Sequence, residues 1–497
     1  MSQIAGLQDF RKEAPPADIR TFQLPATVMV FQYTFSGTTY ICAVRSGNRG
    51  WILVDYGTVV TTVVQSALNV GGEVFVAAAT YAPNAGVTLS VAGTVLTGEG
   101  YNTFFNYTPT DATNWITSGA ANCTIEKIRI AGTTGAAGST GNAIRILHVD
   151  WTVQNCWITG FDRDAVAHGA IWMDGVNNGR PRILNNYIYH THDSIAGSGT
   201  DFCAVIIGNV IVDCHDGTNV GTGSLIADNM FYTDDGSVAG GNDSCIEMDL
   251  GRNIAVGNYM LGTSTHKFVN GIALSADDQV IVNNFINYCT TGVTLTAAVD
   301  RTIVVQNKIM NCTTGINNAG TGNTLKNNAF SANTTNVVDT GTGTILATYY
   351  MPFVDGTLFL SADAAPWGWE IDAATEYAIA LGHLPNEVQQ ILRWKVWAVG
   401  LAAPGALNTM ALEIVGRGGA TDETYTTESV DIANKPSNEV NFTINDIISW
   451  TVTSADDVDV DDYLGGDAIM IKVLYEAAGG ALVATDAAFL CVEIEYV

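Results

Sequence analysis

Two short segments carry the residues best suited to chemistry, Ile171-Trp172-Met173-Asp174 and Ile246-Glu247-Met248-Asp249. If each is a strand with Ile and Met turned inward, period-two alternation puts Trp172, Asp174, Glu247 and Asp249 outside. An aromatic ring offers a flat platform for a sugar face, and carboxylates serve its hydroxyls or glycosidic cleavage. Glu247, Asp174 and Asp249 are therefore candidate catalytic acids, and Trp172 a candidate substrate platform. The competing reading is that all four are solvated positions of ordinary strands. Stacked layers about 4.8 Å apart, with the segments two or three layers apart, put the acids roughly 10 to 14 Å from one another. That is wide for a paired acid and base.

His190, His192 and Asp193 form a second group, and Cys214-His215-Asp216 a third. His-x-His on a strand can present both imidazoles to a metal, yet two histidines without a third ligand more commonly decorate a surface. The densest acidic run is Asp456-Asp457-Val458-Asp459-Val460-Asp461-Asp462. Counted from Asp457 as a calcium loop, it has Asp462 where glycine is required and Ala468 where glutamate is required, so it is not an EF-hand. It reads as a solvated loop or as a loose divalent-cation site at Asp456, Asp457 and Asp459. No phosphate loop, nucleophile elbow or Cys-x-x-Cys is present, and no other cofactor or metal is expected.

The elements that must position these groups are legible in a repeat. Between Pro181 and Phe330 an apolar residue, two positions, an Asn, one position and a second apolar residue recur seven times, centred on Asn186, Asn209, Asn229, Asn258, Asn284, Asn307 and Asn328. Successive Asn are 23, 20, 29, 26, 23 and 21 residues apart. A period in the twenties with variable insertions signals a solenoid, and Val, Ile, Thr and aromatic residues in each copy favour strands. Asn tolerates a left-handed backbone, so each is expected to be a one-residue corner, stacked into a ladder. An eighth copy is expected at Asn155 and Trp157.

These repeats resemble the right-handed parallel β-helix of pectate lyases and viral tailspikes. Upstream, a stripe of Val63, Val64, Ala67 and Leu68 precedes Gly71-Gly72-Glu73-Val74-Phe75-Val76, Ala79-Thr80-Tyr81, Leu96 and Gly98-Glu99-Gly100. That order is similar to the capping helix, first strand and Gly-Glu-Gly turn that lead into pectate-lyase-like solenoids, with Ala79 where the family usually has Gly. His168-Gly169 resembles only a fragment of the polygalacturonase pattern, whose Asn-Thr-Asp and Arg-Ile-Lys companions are missing. Pectate-lyase action requires calcium-binding Asp and a basic Arg on neighbouring coils; Arg182 and Arg252 are available, and nothing in the sequence brings them together.

With 47% apolar and 14% charged residues the chain has material for a large core. Forty-nine acidic against 21 basic side chains give a net charge of −28, which repels phosphate backbones and argues against nucleic-acid partners. Nine scattered cysteines form no cluster and read as small buried apolar residues. The longest uncharged stretch, 74–98, contains Pro83, Asn84 and several Gly, Ser and Thr, so it reads as strands and turns, and no membrane span or signal peptide is expected.

The expected organisation is an N-terminal attachment segment at 1–50, a parallel β-helix at 51–345, and a C-terminal antiparallel β-sandwich of jelly-roll kind at 346–497. Alternating segments such as 392–399, 411–415, 468–475 and 489–497 carry the last expectation. The resemblance implies a surface protein of a virus particle, a tail fibre, tailspike or head decoration. It would be a homotrimer attached to other virion proteins through its N-terminal segment and acting by adhesion without catalysis. A tailspike glycan depolymerase acting on host surface glycan is the first alternative. A cellular polysaccharide lyase or hydrolase, extracellular or at the cell surface, is the second.

Overall fold

Val60, Val63, Val64, Ala67 and Leu68 lie on one face of the helix Val60–Leu68, and all five are buried. The helix follows an antiparallel piece made of Val28–Phe35, Thr38–Gly47 and Gly50–Gly57. Val28–Phe35 also pairs in parallel with Glu73–Val76, where the solenoid begins. A computed structural model describes residues 27–47, 50–107, 114–132, 141–161, 169–174, 179–198, 203–233 and 243–356, and beyond them strands between 358 and 496. It divides into two compact units, Met1–Glu247 and Met248–Val497.

Each unit contains a stretch of parallel β-solenoid. In the first, Ile125, Val153, Ile183, Ile206 and Ile226 stack in register on successive coils, each wholly buried. In the second, Ala255, Ile281, Val304 and Leu325 do the same. Each large aliphatic side chain so buried stabilises the fold by about 1.5–3 kcal/mol relative to leaving it exposed.

Several coils turn three times, each time at a residue of positive φ. In the coil that begins at Arg180 (φ 61°) the others are Asn185 (54°) and His190 (56°), and in the coil that begins at Asp278 (58°) they are Asn283 (55°) and Tyr288 (57°). The left-handed conformation costs a non-glycine residue roughly 1–2 kcal/mol, so each corner needs compensation. The Asn ladder supplies it. Asn186 donates its backbone N–H and its Nδ2 to Asn209 Oδ1 (2.9 and 3.0 Å), and Asn209 donates both to Asn229 Oδ1 (2.9 Å each). In the second unit Asn258, Asn284, Asn307 and Asn328 repeat the pattern at 2.9 to 3.0 Å.

One expectation needs correcting. The ladder Asn residues are not themselves the left-handed corners. Positive φ falls on the residue before each of them, at Asn185, Gly208, Asp228, Gly257, Asn283, Gln306 and Asn327. The reason is directional: Asn185, Asn283, Gln306 and Asn327 face solvent, whereas a ladder amide must point inward to reach the next coil and a buried carbonyl, as Asn186 Nδ2 reaches Val153 O at 3.0 Å. The proposed eighth copy shifts by one residue for the same reason. Asn155 is its corner (φ 55°), and buried Cys156 takes the ladder place, donating its N–H to Asn186 Oδ1 at 3.0 Å.

The eight cysteines with described side chains form no disulfide with one another, and all but Cys203 are buried. Among the described residues no helix is long and apolar enough to cross a membrane. Ile345–Gly356 begins as a solenoid strand, parallel to Thr324–Lys326, and continues as an antiparallel partner of Ala487–Tyr496. Further antiparallel pairs join Ile391–Gly400 to Ile447–Thr453 and to Ala487–Tyr496, and Ala468–Ala477 to Tyr377–His383 and Met410–Gly419. Asp456, Asp457 and Asp459 lie outside the described residues, as do residues 1–26 of the N-terminal segment.

Candidate functional site

The strand Tyr187–Ser198 bends at His190 from one coil face to the next, and Val210–Asn219 bends likewise at Asp213 (φ 47°). Directly after the bends, Thr191 and Cys214 pair and turn into the core. The next two residues on each strand, His192-Asp193 and His215-Asp216, face outward and are half-buried. Parallel register stacks them: Asp193 pairs with Asp216, and the His192 and His215 rings lie 4.4 Å apart at 13°. Each imidazole Nδ1 meets the carboxylate that follows it, at 2.7 Å for His192–Asp193 and 3.0 Å for His215–Asp216.

Ser244–Met248 adds the next layer. Asn219 pairs with Glu247, and the same offset sets Asp243 beside His215, whose carbonyl accepts the Asp243 N–H at 2.8 Å. Asp216, Asp243 and Glu247 therefore gather, with one carboxylate oxygen of each within 4.8 Å of the others. Asn219 Nδ2 donates to Glu247 Oε2 at 2.8 Å and the Ser244 N–H to Asp216 Oδ1 at 3.3 Å.

The electrostatics separate these groups. Burial, and then the neighbouring Asp216 carboxylate, push the Asp243 carboxyl above its usual range, against a smaller opposing pull from His215. The hydrogen bond to Asp216 raises His215, opposed by burial and reinforced by the charges of Asp216, Asp243 and Asp193. One carboxyl inclined to keep its proton among other carboxyl groups is an arrangement suited to acid–base chemistry. Three carboxylates also make a donor set for a hard divalent cation, and His192, Asp193 and His215 a softer one.

The four residues singled out in the sequence are placed as follows. Ile171, Met173, Ile246 and Met248 are wholly buried, and Trp172, Asp174, Glu247 and Asp249 face outward. Trp172 occupies the same row as Glu247 through Ala196 and Asn219; three steps make about 14 Å. Asp174 is held in an ion pair by Arg145, with Nε 3.1 Å from Oδ2. Asp249 is exposed and accepts from Ser275 Oγ at 2.7 Å. Of the four, only Glu247 joins the carboxylate group. His190 is spent on the corner, so His192 and His215 form the imidazole pair. Asp243 and Asn219 were not singled out from the sequence. Each dyad, however, sits six and seven residues beyond a ladder Asn, at Asn186 and Asn209, and that shared offset marks them as stacked.

A family model described as periplasmic copper-binding protein (NosD) matches residues 175–359, less than half of the chain. No curated protein matches the chain in sequence. Solved structures similar to it include the A-module of the mannuronan C-5 epimerase AlgE4 of Azotobacter vinelandii, at 13% identity and a TM-score of 0.39, covering 57% of this chain and 94% of that one. The Dettilon tailspike protein has 12% identity and a TM-score of 0.44, with 88% and 90% covered. Tailspike protein 2 of bacteriophage CBA120 has 11% and 0.41, with 99% and 95% covered. The fold that these structures share with the chain is the parallel β-solenoid.

Proposed function

We propose that the first unit cleaves a polysaccharide, with Asp243 as general acid and Glu247 as its partner carboxylate. The observation that carries this reading is the gathering of Asp216, Asp243 and Glu247 within 4.8 Å, with Asp243 held above the usual carboxylate range. Asp243 gives its proton to the glycosidic oxygen as the bond to the anomeric carbon breaks, and Glu247 attacks that carbon. Water then displaces Glu247 while Asp243 takes a proton back. Two carboxyl groups this close fit direct attack and retention of configuration, whereas inverting enzymes hold theirs roughly 6.5–9.5 Å apart. After burial, the neighbouring Asp216 carboxylate adds to the upward shift of the Asp243 carboxyl.

The test is incubation with bacterial surface polysaccharides while new reducing ends and unsaturated uronates are followed. New reducing ends of retained configuration are expected, lost in Asp243→Asn and in Glu247→Gln. Cleavage at an undiminished rate in both variants would overturn the assignment, and unsaturated products would replace hydrolysis by elimination. Activity that survives a chelator is expected; activity abolished by it would turn the carboxylates into a cation site. Copper, which the matched family's description names, is not assigned here. The His192 and His215 rings lie parallel, and each Nδ1 is already engaged by a carboxylate.

We further propose that the protein is displayed on a virus particle as a homotrimer attached through residues 1–50, with the C-terminal antiparallel strands packed as a sandwich. What supports this is the joining of a solenoid to an antiparallel region within one chain. Adhesion without turnover is the corresponding second reading, which glycan binding without product release would favour. Sedimentation of the full chain as a monomer would remove the trimer.

A further inference from the structure

A second surface of the first unit has a different chemistry. Phe104, Arg129, Trp157 and Tyr187 occupy one row on four successive coils. Their neighbours Phe105, Ile130, Ile158 and Ile188 are wholly buried, so the row faces outward. Tyr101, 52% exposed, closes it at one side. The Arg129 guanidinium lies 4.2 Å from the ring centres of both Tyr101 and Phe104. Tyr101 meets Trp157 edge-on at 5.1 Å, and Trp157 stacks on Tyr187 at 3.9 Å.

The arginine is the unusual member. In a chain with 49 acidic against 21 basic side chains, a carboxylate partner is statistically easy to find. Arg129 has none among the described residues, and its Nε is shut off from solvent without a hydrogen-bond partner. Two aromatic rings hold the guanidinium in place and supply no full negative charge to neutralise it.

We propose that this row binds a sparsely acidic sugar chain, with Arg129 taking a carboxylate through paired N–H donors and the rings taking the apolar faces of adjoining sugars. The row is about 14 Å long from Phe104 to Tyr187 by strand spacing, too small for a stable protein interface of about 800 Å² a side. A net charge of −28 disfavours a densely charged strand such as a nucleic acid, while a carboxylate on alternate sugars lets one cation act locally. The proposal stands apart from catalysis at Asp243 and Glu247, because the two sites share no residue.

The experiment is calorimetric titration of the full chain with a hyaluronan hexasaccharide, which carries a carboxylate on alternate sugars, with neutral chitohexaose, and with an oligothymidylate. The hyaluronan fragment is expected to bind most tightly and to weaken with added salt. Arg129→Gln is expected to lose about tenfold affinity for it, the scale of a charge-assisted hydrogen bond, with chitohexaose unaffected. Trp157→Ala is expected to weaken both sugars. Equal affinity for the two sugars, absence of binding, preference for the oligonucleotide, or full affinity in Arg129→Gln would each overturn the proposal. If Arg129→Gln does not fold, the wild-type salt dependence decides, and affinity indifferent to salt counts against it.

Discussion

The second unit repeats the turn of the first with different side chains on its outer face. After the corner at Asp213 the first unit reads Cys214-His215-Asp216-Gly217, and after the corners at Tyr288 and Asn311 the second reads Cys289-Thr290-Thr291-Gly292 and Cys312-Thr313-Thr314-Gly315. The inner residues do the same work in each. Cys214, Cys289 and Cys312 are buried, and a Cβ on any of the three glycines would meet the carbonyl oxygen of the next coil at 2.3 to 2.5 Å. Only the outer pair changes, Thr-Thr against His-Asp. A coil therefore closes without charge at those two positions. Their imidazoles and carboxylates add a hydrogen-bonded, acid-rich patch that the fold does not require.

The largest test of that contrast is catalytic. Asp243→Asn and Glu247→Gln are each expected to slow glycan cleavage by about 10²–10⁴-fold, the range for loss of a general acid or base, with the thermal midpoint little changed. Next comes what the two units share. Asn209→Ala and Asn307→Ala each remove an acceptor used by the backbone and side-chain amides of the preceding ladder Asn, and each orphaned buried group costs roughly 1–3 kcal/mol. Denaturant unfolding should show similar losses at both positions; a loss at only one would mean that the ladders are not equivalent.

The pH response of cleavage should arise in the first unit. Asp243 sits above the usual carboxylate range because of burial, so activity that needs its proton should fall as pH rises through that raised value. His215 is raised by Asp216. Its contribution to stability is fully present below the unfolded histidine value and lost as pH rises through the folded one, and in His215→Thr that slope should vanish. The smallest effect is expected from transplanting the pair. Thr313→His with Thr314→Asp should shift stability by no more than about 0.5 kcal/mol, the scale of surface substitutions. A much larger loss would show that the coils are less alike than their backbones.

Much of the scaffold could be read from residue order. Apolar pairs around each Asn give the coil, its period and the inward columns, because burial and a turn impose the same pattern on every layer. The position of the corner was not legible: Asn suits a left-handed backbone and also suits a buried ladder, and only coordinates distinguish Asn185 from Asn186. For the site, alternation placed Trp172, Asp174, Glu247 and Asp249 outside, but proximity depends on how many coils separate them. His192 and His215 meet because they are 23 positions apart, one full coil. Asp243 follows an insertion of different length, so no fixed spacing could reveal it.

The most direct measurement replaces His215 and Asp216 together by threonine, the pair found at the same place in the second unit, and follows both thermal unfolding and release of reducing ends. A folded protein with markedly slower cleavage is the predicted result, since the Asp216 carboxylate, which after burial raises the Asp243 carboxyl, would be gone from the patch. Cleavage at the wild-type rate in that double variant would contradict the assignment of this patch as the reacting site.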